Sequence, residues 1–73
     1  MSSDLSYLSG LPFADRLKRL RATRALSQQE LAERVGVRRE TVADLERGKT
    51  FPRPSTLRKL ARALEVPVES LTN

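Results

Sequence analysis

A chain of 73 residues is enough for one small domain, and its length leaves no room beside that domain for a separate ligand-sensing unit. The absence of cysteine and histidine removes disulfides, thiolate metal sites, and the side chain most used as general base or metal ligand. Fourteen Lys and Arg against nine Asp and Glu give a net charge of +5 and a pI near 10.8, which suits an anionic partner or simply a soluble basic surface.

Residues 1–10 are Ser-rich, with little apolar periodicity, and read as a mobile arm on which Tyr7 and Leu8 can touch the body. The arm has no Lys or Arg, which disfavours a DNA-gripping role. Residues 11–73 read as the folded domain, beginning with a helix near Pro12, a residue suited to a first turn because its missing N–H would be unpaired there. Phe13, Leu17 and Leu20 mark that helix's buried face, and Arg16, Lys18, Arg19 and Arg24 fill a solvated one. A second helix starts at Ser27, with Glu30 placed to complete a capping box, and stops at Gly36, which permits a left-handed turn. A third runs from about Arg38 to Arg47 and ends at Gly48. After a loop over residues 49–53, stiffened by Pro52 and Pro54, a fourth helix opens at Pro54 with Leu57, Leu60, Ala61 and Leu64 at amphipathic spacing. A short fifth helix has Pro67 in its first turn, followed by Val68 and Leu71. The expected fold is all-α, with five helices.

Small and apolar residues (Leu31, Ala32, Val35, Val37, Val42 and Leu45) fall where two crossing helices must touch, with Gly36 at the turn between them. The third helix opens with two arginines that this pattern does not bury. A helix-turn-helix whose second helix is polar and led by arginine is a device for reading the DNA major groove.

The stretches Leu26–Ala32, Val35–Val37, Leu45–Lys49 and Thr56–Leu64, in this order and spacing, resemble the Cro/C1-type (XRE-like) helix-turn-helix regulators over about residues 13–71. The resemblance implies a lambda-repressor-like fold and binding to double-stranded DNA. It implies that Arg38, Arg39, Glu40 and Asp44 reach base edges, with Arg39 able to donate two parallel bonds to guanine O6 and N7. Arg38 stands where the family often has a Ser or Thr cap, which turns it towards phosphate. Glu40 and Asp44 accept from cytosine N4, orient an arginine, or simply limit loose binding by their charge. Gln28, in the first turn of the second helix, holds a backbone phosphate in the family, as its amide and the helix N-terminal N–H groups allow. Ser27, Gln29, Thr41 and Arg47 join it as phosphate candidates. Lys49, Thr50 and Arg53 are either phosphate contacts or a solvated loop. Glu46 faces inward, where a carboxylate needs a partner; Arg21 occupies the position of the family arginine that pairs with it.

The leading expectation is a DNA-binding transcriptional regulator, a repressor, acting as a homodimer on a two-fold operator. In the family the C-terminal helix often makes the dimer contact; Val66, Val68 and Leu71 supply apolar surface for that, or else close the domain's own core. A second reading is an antitoxin that binds a protein toxin and regulates its own operon. A third is the DNA-binding part of a longer repressor. An enzyme is disfavoured by the missing histidine and cysteine and by the lack of a Gly-rich phosphate loop. No metal or cofactor is expected, and no membrane contact, because no apolar run approaches ~18 residues and no signal-peptide pattern opens the chain. Cytoplasmic localisation, at the nucleoid when on DNA, follows from these expectations.

Overall fold

The computed structural model describes residues 11–72; the expected arm, with Tyr7 and Leu8, lies outside them. Among the described residues are five α-helices and no strand: α1 (Phe13–Thr23), α2 (Gln28–Val35), α3 (Arg39–Glu46), α4 (Pro54–Leu64) and α5 (Glu69–Thr72). Pro12 is the N-cap of α1 rather than its first residue, and Pro54 opens α4 as expected. Pro67 precedes α5 instead of lying in its first turn. Arg38 and Arg47 flank α3 as its caps.

The core is aliphatic. Leu17 and Leu20 of α1, Leu31, Ala32 and Val35 of α2, Val42 and Leu45 of α3, and Leu60, Ala61 and Leu64 of α4 are buried together with Leu26 and Leu71. Leu71 is fully enclosed, so its apolar surface closes the domain's own core and is removed from the expected dimer contact. Val66 and Val68 are only partly buried against the same cluster.

Four of the helices end in one motif. The N–H groups of Leu26, Val37, Lys49 and Val66 reach back five residues to the carbonyls of Arg21, Ala32, Asp44 and Ala61, at 3.1, 3.0, 3.0 and 3.0 Å. Such a turn requires a left-handed residue just before the donor. Gly36 (φ 85°) and Gly48 (φ 74°) meet that requirement without strain, whereas Ala25 (φ 56°) and Glu65 (φ 58°) hold the same conformation with a Cβ.

The polar face expected for α1 is only half correct. Lys18 and Arg19 are exposed, but Arg16 is buried, and its Nε and Nη1 donate to the carbonyls of Leu11 (2.7 Å) and Ser70 (3.3 Å). Arg24 remains partly exposed, yet its Nε and Nη2 donate to the carbonyls of Leu64 (2.8 Å) and Glu65 (3.3 Å) at the end of α4. Both arginines satisfy carbonyls that a helix end or loop leaves without a partner.

Candidate nucleic-acid interface

The unit of interest is α2, its turn, and α3. Ser27 Oγ accepts from the Glu30 N–H (3.0 Å) while the Ser27 N–H donates to Glu30 Oε1 (2.8 Å), so the capping box is complete. Hydrogen bonding to the Glu30 carboxylate, first from the Ser27 backbone N–H and then from the Ser27 side chain, holds that carboxyl below its ordinary range. Ala32 is fully buried and, being small, lets α3 cross closely over α2. Val42, Leu45 and Glu46 point inward, which leaves Arg38, Arg39, Glu40 and Arg47 exposed and Thr41 and Asp44 half-buried. Arg38 makes no side-chain cap bond, so the first turn of α3 presents N–H groups together with two guanidinium groups at one tip.

Behind that tip runs a chain of polar contacts. Arg21 grips Glu46 with two parallel bonds, Nε to Oε2 at 2.6 Å and Nη2 to Oε1 at 3.0 Å, and its Nη1 donates to the Leu26 carbonyl at 2.8 Å. The Glu46 hydrogen bond raises the Arg21 pKa against the opposing effect of burial, with the carboxylate charge adding to the rise. Glu46 Oε1 also accepts from Gln28 Nε2 (3.1 Å), and Gln28 Oε1 in turn accepts from Arg39 Nη1 (3.5 Å). The expected Arg21–Glu46 pair is therefore present, and it continues outward to the tip of α3. Because Glu46 takes the amide nitrogen of Gln28, the amide oxygen must face Arg39. Sequence reasoning missed this link: Gln28 and Arg39 lie 11 residues apart on different helices, and only the closeness of the two helix starts could have suggested it.

The remaining candidates spread around this centre. Asp44 Oδ1 accepts from Arg47 Nη1 at 3.3 Å, so of the roles expected for Glu40 and Asp44, orienting an arginine is the one Asp44 takes here, at the C-cap of α3. Gln29 donates to Glu33 at 3.0 Å on the exposed side of α2. Lys49, Thr50 and Arg53 are exposed on the α3–α4 loop, as is Phe51, whose ring packs 5.0 Å from that of Phe13. Val66 and Val68 follow α4, and the structure does not draw them into the α3 cluster. No group of carboxylates among the described residues is arranged to hold a metal ion, and no described helix is long and apolar enough to cross a membrane.

A family model described as "Helix-turn-helix" (HTH_3) matches residues 17–71. An uncharacterized HTH-type transcriptional regulator of Archaeoglobus fulgidus is 45% identical over 56 residues, which are 77% of this chain and 79% of that protein. The HTH-type transcriptional repressor RghR of Bacillus subtilis is 40% identical over 60 residues, which are 81% of this chain but only 44% of the repressor. Among solved structures, the restriction-modification controller protein C.AhdI from Aeromonas hydrophila superposes with a TM-score of 0.78 at 37% identity, over 81% of this chain and 89% of that one.

Proposed function

The chain belongs to the Cro/C1-type helix-turn-helix family, and from that premise we propose that it is a sequence-specific DNA-binding transcriptional regulator, a repressor that acts as a homodimer on a two-fold operator. The observation that carries this reading is the contact chain Arg21–Glu46–Gln28–Arg39, which fixes an arginine at the tip of an exposed helix from within the core. Such a regulator works in the cytoplasm, on nucleoid DNA.

The tip of α3 enters the major groove. Arg39 leans one Nη on Gln28 and keeps its other N–H groups for guanine O6 and N7. Arg38, Glu40 and Asp44 border the same bases; Asp44 also steers Arg47 towards the backbone. Phosphates are held by Ser27, Gln28 and Gln29 at the start of α2, by Thr41 and Arg47 on α3, and by Lys49, Thr50 and Arg53 beyond it. Gln28 serves through its backbone N–H and its second amide hydrogen, since Glu46 takes the first. With Leu71 committed to the core, Val66 and Val68 are what remains of the expected dimer contact. Two recognition helices about 34 Å apart then read successive turns of one duplex face.

The test is titration of variants against operator and scrambled duplex, the operator having been selected from random DNA. Arg39→Ala should cost about 1–3 kcal/mol on the operator and relax the preference at one position per half-site. It should change scrambled-duplex binding much less. Gln28→Ala should weaken both duplexes and also lose part of the Arg39 preference. Equal losses on both duplexes for Arg39→Ala, with base preference intact, would make Arg39 a phosphate clamp and move the reading head to Arg38, Glu40 and Asp44.

A further inference from the structure

The segment from Arg47 to Leu64 contains Arg47, Lys49, Arg53, Arg58, Lys59 and Arg62 and not one Asp or Glu. The first three belong to the proposed DNA surface. The others lie on α4, and two of them, Lys59 and Arg62, line a cleft with Arg34, Val35 and Ala63, where the ends of α2 and α4 meet. Its volume is about 290 Å³, its three polar lining residues are all cations, and Val35 and Ala63 supply its apolar lining. None of the five is among the residues assigned to DNA.

We propose that this α2–α4 cleft is a docking site for an acidic segment of a partner protein, one that presents carboxylates beside an apolar side chain. The argument rests on shape and charge together. Two arginine forks, Arg34 and Arg62, suit carboxylates in bidentate geometry, and Lys59 adds a point charge to the same cleft. Arginine clusters are a recurring means of capturing acidic motifs. A merely solvating basic surface needs neither a concavity nor apolar residues lining it. A duplex is convex and too broad to enter a space of this size, whereas one or two side chains of a peptide fill it. The chemistry of the cleft stands whether or not the DNA assignment does. If both hold, the cleft stays open on the bound regulator, because it shares no residue with the reading surface.

The probe is a fluorescein-labelled amphipathic peptide with glutamates and leucines at helical spacing, followed by anisotropy. Arg34→Gln/Arg62→Gln should weaken it about tenfold, equivalent to about 1.4 kcal/mol. Lys18→Gln/Arg19→Gln on α1 removes the same charge from another exposed face and should leave affinity nearly unchanged. Replacing the peptide's glutamates by glutamine should abolish binding, and replacing its leucines by serine should weaken it. Melting curves establish that both double variants are folded. Equal losses in the two double variants would reduce the effect to net charge and overturn the proposal. A loss of operator affinity confined to the cleft variant would assign the cleft to flanking DNA instead. Dissociation of a parent oligomer in the cleft variant, seen by sedimentation, would assign it to a second copy of this chain. Displacement of the peptide by millimolar inorganic phosphate would make it a small-anion site.

Discussion

Removing the Glu46 carboxylate should cost this domain much of its stability. The Glu46 side chain is 2% exposed and its partner Arg21 18%, so the pair is buried on one side and grazes water on the other. Breaking a buried pair by deleting one partner costs about 3–5 kcal/mol. The low end applies to Glu46→Ala, because Arg21 can turn towards solvent. A chain of this length has roughly 4–11 kcal/mol in total. At about 4–8 °C per kcal/mol, the melting temperature should fall by about 12 °C or more. Arg21→Met should be worse, since it strands the carboxylate in the interior and also leaves the Leu26 carbonyl without its donor. The informative variant is the double, Arg21→Met/Glu46→Leu. Apolar replacement of both partners is often neutral, so most of the lost stability should return, less whatever the Leu26 carbonyl costs. DNA reading should not return with it: Gln28 loses the acceptor that orients it, and Arg39 loses its fixed neighbour. Circular-dichroism melts with operator titrations on all four proteins measure both quantities. If Glu46→Ala melts within a few degrees of the parent while DNA affinity falls, the pair is part of the binding surface and the structural assignment is wrong.

The helix ends and the fifth helix give further expectations. Ala25→Gly should raise stability by about 0.5–1 kcal/mol, because relief of left-handed strain outweighs the added freedom of the unfolded chain; Glu65→Gly should gain less, since it gives up the 3.6 Å contact with Arg24. Gly36→Ala should lose about 1 kcal/mol although nothing lies within 4 Å of the added Cβ, so any loss there is backbone strain alone. Leu71→Ala should cost about 2–5 kcal/mol in a denaturant titration. If it instead leaves stability intact and dissociates the proposed dimer, α5 belongs to the interface.

How much of this was legible depended on where each side chain's partner lies. The α2 start could be read directly, because Ser27 and Glu30 cap each other three residues apart, and the turn could be read from Gly36. The inward direction of Glu46 followed from helical spacing, but its partner, 25 residues away, came only from the family resemblance. Arg16 could not be read at all. On a helix wheel a cation beside apolar positions is assigned to water, and its acceptors here are backbone carbonyls, one of them 54 residues away. Every residue has a carbonyl, so no pattern of side chains marks which one an arginine will find. Arg24 hides for the same reason. The left-handed turns at Ala25 and Glu65 were missed because the sequence signal for such a turn is glycine, and two of the four lack it.

These arginines also change what the net charge means. Arg16, Arg21 and Arg24 all lie on or at the end of α1, and each reaches a different part of the chain: Ser70 in α5, Glu46 in α3, and the terminal carbonyls of α4. A single helix thus ties down the three others that follow the helix-turn-helix or complete it. Arg21 is neutralised by Glu46, and Arg47 and Arg24 stand beside Asp44 and Glu65. Part of the chain's basicity therefore holds the fold together, and what remains is divided between the α3 tip and α3–α4 loop, proposed here for DNA, and the cations of the α2–α4 cleft. Composition alone could announce an anionic partner, but only the placement of the cations separates those that build the reading helix's support from those left to bind.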